Sequence, residues 1–185
     1  LMKRITFDDI AEAEIFAREH GVPFDFAGWM KIIHRYNGLL PVRIRSLPEG
    51  TRTPIGVAQV VVENTDAELP WLSAYVETEL LRAVWYPSTV ATISRAARDL
   101  IYSYLQDTSS DPDGQIAFKL HDFGQRGASS RETAALGGMA HLLNFSGTDT
   151  TEGVLAARQY YNAGIAGYSI PAMEHSTVTI WGREN

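Results

Sequence analysis

The sequence predicts an α/β protein with an α+β N-terminal part: helices plus a small β-sheet come first, and the first β–α units of an incomplete α/β barrel follow. In the first 110 residues, helical periodicity flanks a short stretch with β periodicity. Beyond residue 111, apolar runs recur about every 25 residues with helical patterns between them, which is typical of parallel β–α units. We therefore predict an N-terminal domain over residues 1–110 and the start of the barrel over residues 111–185. The boundary falls in the turn-rich segment 107–114.

Two helices are predicted near the N-terminus. Thr6, followed by two aspartates, is typical of a helix start, and His20-Gly21 is typical of a helix end. A second helix is predicted from Asp25 to Asn37-Gly38. Its aromatic and aliphatic residues fall on one stripe at three- and four-residue spacing: Phe26, Trp29, Ile33 and Tyr36. We expect this stripe to face a core rather than a ligand.

A small sheet and a long helical region complete the predicted N-terminal domain. Residues 41–45 alternate apolar and polar, and residues 57–63 are rich in β-branched side chains, so we expect two to four strands. Pro70 opens the helical region. We expect it to break at Trp85-Tyr86-Pro87 and to resume with Ser88 as the cap.

The second half predicts three strands with helices between them. The strand-like runs are Ile116–Leu120, Leu142–Phe145 and Gly167–Ile170, and the helical patterns are Arg131–His141 and Glu152–Tyr161. Ser129 and Glu132 have the spacing of a capping box at the start of the first of these helices.

Polar side chains follow each predicted strand. The clusters are His121-Asp122-Phe123 with Arg126, Ser146-Gly147-Thr148-Asp149, and Ser169 with Glu174-His175-Ser176. Because the carboxyl ends of parallel strands converge on one face, we expect the three clusters to meet at one site. Structural alternatives remain open: Asp149 could cap a helix, His175 could be structural, and Phe123 could cover the core. Arg126 is typical of an anion site.

Composition excludes several classes of function. The chain has no cysteine, so disulfides and thiolate metal sites are excluded. A net charge of −6 disfavours a nucleic-acid partner, and no apolar run is long enough to cross a membrane. The histidines lack the spacing of zinc sites, so we expect no metal ligands of that kind. We expect a cytoplasmic protein.

Six motifs, in the same order along the chain, resemble the nicotinamide phosphoribosyltransferases of the type II phosphoribosyltransferase family. They are Gly38-x-Leu-Pro-Val with Pro48-Glu-Gly50, Val62-Glu-Asn-Thr-Asp66, Trp85-Tyr-Pro-x-Thr-Val-Ala-Thr92, Lys119-Leu-His-Asp-Phe-Gly-x-Arg-Gly127, Asn144-Phe-x-Gly-Thr-Asp149 and Gly167-Tyr-Ser-x-Pro-Ala-x-Glu-His-Ser-Thr177. The resemblance implies the transfer of a phosphoribosyl group from phosphoribosyl pyrophosphate to nicotinamide in NAD salvage. It also implies a homodimer with a shared active site, Mg²⁺ with the phosphoribosyl substrate, and ATP as a coupling substrate.

The resemblance assigns a role to five residues. Phe123 would stack on the nicotinamide ring, and Asp149 would accept the amide N–H. Arg126 would contact phosphate or pyrophosphate, and His175 would be the histidine that ATP phosphorylates. Ser169 would line the pocket.

Two departures and two alternatives accompany this resemblance. Gln125 replaces an aromatic residue of the family motif, and the chain is expected to lack the C-terminal half, so that alone it would be inactive. The alternatives are a nicotinate phosphoribosyltransferase and a non-catalytic interaction fragment of the same fold. We prefer nicotinamide because the negative charge of Asp149 would repel the nicotinate carboxylate.

Overall fold

The computed structural model describes residues 3–183, which form two compact units that divide at Leu80 and Leu81. The helices are α1 Phe7–His20, α2 Phe26–Tyr36, α3 Leu72–Thr108, α4 Pro112–Gln115, α5 Arg131–Leu142, α6 Thr151–Tyr161 and α7 His175–Trp181, and the strands are β1 Val42–Ser46 and β2 Val60–Asn64. The helices with a small two-stranded sheet have α+β character, as predicted for the N-terminal part. The division lies inside α3, and the predicted domain boundary at residues 110 and 111 stays a prediction.

The ends of α1 and α2 confirm the predicted signals. The Thr6 hydroxyl accepts from the Asp9 N–H, and the Asp9 carboxylate accepts from the Thr6 N–H, which is a complete capping box. Asp25 caps α2 by accepting from the Gly28 N–H at 2.9 Å. Gly21 ends α1 in the left-handed region at φ 84°.

The first unit has a small core beneath a two-stranded sheet. Strands β1 and β2 pair antiparallel, with Val42 opposite Asn64. The fully buried residues are Ile32, Leu69 and Leu72, and Trp29 and Tyr36 of the predicted stripe pack against them only half-buried. Trp29 and Tyr36 of the stripe therefore face the core as predicted, but the fully buried Ile32 lies outside the predicted stripe and was missed.

The predicted break at Trp85-Tyr86-Pro87 is wrong, because α3 continues through Pro87. Proline removes one backbone N–H from the helix, and the remaining hydrogen bonds on both sides suffice to continue it. Ser88 therefore caps no new helix. Its carbonyl instead accepts from the Thr92 hydroxyl at 2.7 Å.

The three strands predicted in the second half are also wrong as regular strands. Residues Ile116–Phe118 form a 3₁₀ turn, Leu142 ends α5, and the third run makes a single bridge at Tyr168. The parallel pairing is nevertheless present as two isolated bridges, Asp122 with Thr148 and Gly147 with Tyr168. Pairing over single residues is too short to give the alternation from which strands are predicted.

Helices α5 and α6 confirm the predicted helical patterns and pack closely against each other. Helix α5 is capped by Ser130, which accepts from the Thr133 N–H at 3.1 Å, so the predicted box at Ser129 is one residue too early. A Cβ on Gly153 would lie 2.7 Å from the backbone of Gly138, so only glycine permits this approach. Nearby, Leu105, Ile116 and Phe145 form a second core cluster.

Within residues 3–183, none of the helices has the combination of length and apolar character that crossing a bilayer requires.

Candidate functional site

Backbone hydrogen bonds bring the three polar clusters of the second unit together. The Asp122 N–H donates to the Gly147 carbonyl at 3.1 Å, and the Asp149 N–H donates back to the Asp122 carbonyl at 2.9 Å. The Thr148 N–H donates to the Tyr168 carbonyl at 2.9 Å. The structure thus brings together the segments that the sequence predicts should converge, although they meet as bridges rather than strands.

The Asp149 carboxylate is held from two sides. The Ser169 hydroxyl donates to Oδ1 at 2.7 Å, and His121 Nε2 lies 2.8 Å from Oδ2. The pKa of the Asp149 carboxyl is therefore lowered from its ordinary value, first by the Ser169 bond and second by the His121 bond. The side chain stays 40% exposed, so the charged group is open to a ligand.

Asp149 is not the cap of α6, which excludes that structural alternative. The cap position is Thr150, whose side chain makes no capping bond. The first turn of α6 is instead served by Gln125, whose Oε1 accepts from the Thr151 hydroxyl at 3.0 Å and from the Glu152 N–H at 3.4 Å. The residue that departs from the family motif therefore contacts the start of α6.

His121 contacts both Asp149 and Phe123. Its side chain is only 8% exposed, and its ring lies against Phe123 with centroids 4.5 Å apart. Its Nδ1 is buried and has no hydrogen-bond partner within residues 3–183. A Cβ on Gly147 would lie 2.8 Å from that atom, so the glycine makes room for the ring. The sequence placed His121 in a polar cluster, but its bond to Asp149 was missed because spacing gives no distance between segments.

A cavity of about 240 Å³ adjoins this group. His121 and the half-exposed Phe123 line it, together with Tyr86 from α3 and His141 from α5. His141 is buried and donates from Nε2 to the Gly147 carbonyl at 3.0 Å. This bond holds the segment 146–149, which carries Asp149, against α5.

Arg126 and His175 lie on exposed segments. Arg126 is in the 3₁₀ turn Gly124–Gly127, and His175 is the first residue of α7 with its side chain 98% exposed. The charges of both residues act on Glu174, whose pKa is lowered first by the backbone N–H and hydroxyl of Ser176 and then by His175 and Arg126. In the described part of the chain, no hydrogen bond or ion pair joins Arg126 or His175 to Asp149.

The described residues contain no cluster of potential metal ligands. Between residues 3 and 183 there is no group of three or more His, Asp or Glu side chains placed to hold an ion.

Comparisons with known proteins identify proteins to which the chain is similar. The model of the nicotinate phosphoribosyltransferase family matches residues 118–185, the segment that carries all five predicted site residues. A nicotinamide phosphoribosyltransferase of Xanthomonas campestris pv. campestris is 53% identical over 180 residues, which cover 97% of this chain and 38% of that protein. Similarly named proteins of Acinetobacter baylyi and Mycoplasma pneumoniae are 40% and 35% identical over 80% and 78% of this chain.

The matched region thus spans well under half the length of these curated relatives, at 38%, 29% and 30% of each. Identity is nevertheless high over nearly the whole chain, and the family model covers the segments that build the site. The chain belongs to the nicotinate phosphoribosyltransferase family.

Proposed function

We propose that this chain is part of a nicotinamide phosphoribosyltransferase. In the proposed reaction, the ring nitrogen of nicotinamide forms a bond to the first ribose carbon of phosphoribosyl pyrophosphate. The bond from that carbon to pyrophosphate breaks, which gives nicotinamide mononucleotide and free pyrophosphate. The observation that carries the proposal is the exposed, ionised Asp149 carboxylate beside the His121–Phe123 pair.

Asp149 supports nicotinamide as the substrate. A carboxylate has about four acceptor positions, and Ser169 and His121 use one on each oxygen, so others remain for an amide N–H. A lowered pKa keeps the group charged, and a charged carboxylate repels the carboxylate of nicotinate. The nicotinate-using alternative therefore has less support.

Phe123 is proposed to orient the nicotinamide ring. Its side chain is half-exposed, and its ring packs against the ring of His121. The contact with His121 limits the orientation of the ring, and the exposed part of the ring is available to a ligand. Stacking on such a ring would hold the flat substrate in line with the reacting carbon.

Arg126 and His175 are proposed to act on the phosphate side of the reaction. Arg126 offers a guanidinium fork to the negative charge that develops on pyrophosphate. The exposed His175 imidazole is accessible to ATP, which would phosphorylate it and couple ATP hydrolysis to the transfer. We propose that Mg²⁺ enters with the phosphates of phosphoribosyl pyrophosphate, for which it is the usual counter-ion.

The remaining expectations concern the whole enzyme and stay proposals. They are the homodimer with a shared active site, the missing C-terminal half, the cytoplasmic location and the completed α/β barrel. The two parallel bridges support the barrel, because they order the three segments as successive β–α units would.

The test is an assay of the protein in which this chain occurs, produced at full length. With phosphoribosyl pyrophosphate, Mg²⁺ and ATP, we expect nicotinamide to give mononucleotide and pyrophosphate with a much higher kcat/KM than nicotinate. The variant Asp149→Ala should lower that kcat/KM by about a hundredfold, and the exposed Asp107→Ala should not. A preference for nicotinate would establish the rival enzyme, and no product with either base would establish the non-catalytic alternative.

A further inference from the structure

We propose that His121 is a positioning residue that, together with Ser169, fixes the Asp149 carboxylate in the orientation that accepts the substrate amide. The proposal rests on the proposed function, since Asp149 is there the group that distinguishes an amide from an acid. His121 would act through Asp149 and would not contact the substrate itself.

The first line of support is the division of the hydrogen bonds between the two carboxylate oxygens. Ser169 binds Oδ1 and His121 binds Oδ2, at 2.7 and 2.8 Å. One bond to a single oxygen would leave the carboxylate free to turn about its Cβ–Cγ bond. Two donors on different oxygens remove that rotation, so the unused lone pairs keep one direction.

The second line of support is the contrast in burial between the two partners. The His121 side chain is 8% exposed, whereas that of Asp149 is 40% exposed. A mostly buried ring bonded to an exposed carboxylate has the arrangement of a support, because the carboxylate is the more exposed of the two groups. Burial also protects the His121–Asp149 bond from competition with water.

The third line of support is the tautomer that the surroundings of His121 require. A carboxylate oxygen only accepts, so Nε2 carries the proton. Nδ1 is buried without a partner in the described part of the chain, where a lone pair is tolerated better than an unpaired N–H. The Nε2–H is therefore the donor that holds Oδ2 of Asp149.

Gly147 determines where the ring can lie. An added Cβ at this position would be 2.8 Å from His121 Nδ1, and its φ lies outside the left-handed region, so alanine is prevented by the ring and not by the backbone. Gly147→Ala should therefore displace the ring and weaken the bond to Asp149 without changing either side chain of the pair.

The experiment compares steady-state kinetics of full-length variants. His121→Leu removes the donor and should raise KM for nicotinamide about tenfold to a hundredfold with little change in kcat. His121→Gln retains an N–H donor and should recover most of that loss, and Gly147→Ala should resemble the leucine variant. His34→Leu, which changes an exposed histidine of α2, is the matched control and should have no effect.

A double-mutant cycle separates this inference from the proposed function. Adding His121→Leu to Asp149→Ala should cause no further loss in kcat/KM, because His121 acts through the missing carboxylate. An additive loss, or no effect of His121→Leu alone, would overturn the positioning role while leaving Asp149 as the amide acceptor. If Asp149→Ala itself changes nothing, the proposed function fails.

Ligand-free crystal structures decide the positioning claim whatever the activity. In His121→Leu, we expect the Asp149 carboxylate to rotate and lose its bond to Ser169, and in His121→Gln we expect it to stay. A carboxylate that keeps the same orientation in His121→Leu would contradict the proposal.

Discussion

Each compact unit contains an aspartate with a lowered pKa, Asp66 in the first and Asp149 in the second, and the two carboxyls differ in their surroundings. In the first unit, Asp66 accepts from the Glu68 N–H at 2.9 Å and the Tyr36 hydroxyl at 2.8 Å, and its side chain is 8% exposed. In the second unit, Asp149 also accepts two short hydrogen bonds but remains open to solvent. The pKa is lowered at both carboxyls. A lowered pKa therefore does not distinguish a turn from a site, and these two aspartates differ instead in their exposure.

The donors differ in the same way. At Asp66 the first cause of the lowered pKa is a backbone N–H from the same turn. At Asp149 both donors are side chains from other segments, at positions 121 and 169. Because side chains from three distant segments meet at Asp149, we propose a function for this aspartate rather than a role in a local turn.

The largest effect on stability should come from the core of the first unit. Ile32→Ala removes a fully buried side chain and should lower the free energy of unfolding by about 2–5 kcal/mol. KM for nicotinamide should not change, because Ile32 lies in the unit without the site. Denaturant unfolding and kinetics measure the two effects. Ile55→Ala, at a fully exposed position, is the control. A raised KM for nicotinamide in Ile32→Ala would contradict the claim that the site depends only on the second unit.

A smaller loss of stability with an effect on function should come from the contact of α5 and α6. Gly153→Ala places a Cβ 2.7 Å from the Gly138 backbone and should cost about 1–3 kcal/mol. Because α6 begins just after Asp149, KM for nicotinamide should also rise. Gly164→Ala, where nothing lies within 4 Å, should do neither. Equal behaviour of the two variants would show that the helix contact does not support the site.

The smallest effect should be a pH dependence at Asp66. Its folded pKa lies below the ordinary 3.8, so its stabilisation is complete above that value and is lost as the pH falls through the folded pKa. The difference in urea midpoint between the unaltered protein and Asp66→Asn should therefore shrink on acidification. Tyr36→Phe removes one donor and should shift this loss to higher pH. A difference that does not vary with pH would contradict the assignment.

The parts of the fold that sequence predicts are those fixed by neighbours in the chain. The caps at Thr6, Asp25 and Gly21 are local, so α1 and α2 were predicted correctly. Pro87 misled because one missing N–H does not end a helix that continues on both sides. The apolar run from Ile116 misled because Ile116 is buried in a 3₁₀ turn against Leu105, and the pairing begins only at Asp122.

The site follows the same division. The convergence of the clusters at Asp122, Asp149 and Ser169 follows from the order of β–α units. The bond from His121 to Asp149 does not, because it depends on the distance between segments 28 residues apart. Gln125 was noticed only as a departure from a motif, and its contact with α6 required the structure.

The most direct test of the central claim is the preference for amide over acid. Nicotinamide and nicotinate are compared as substrates of the full-length protein and of Asp149→Ser, with kcat/KM measured for each. We expect a strong preference for nicotinamide in the unaltered protein and the loss of most of it in the variant, because serine carries no charge to repel a carboxylate. A variant that keeps the full preference for nicotinamide would contradict the proposal that Asp149 recognises the amide group of the substrate.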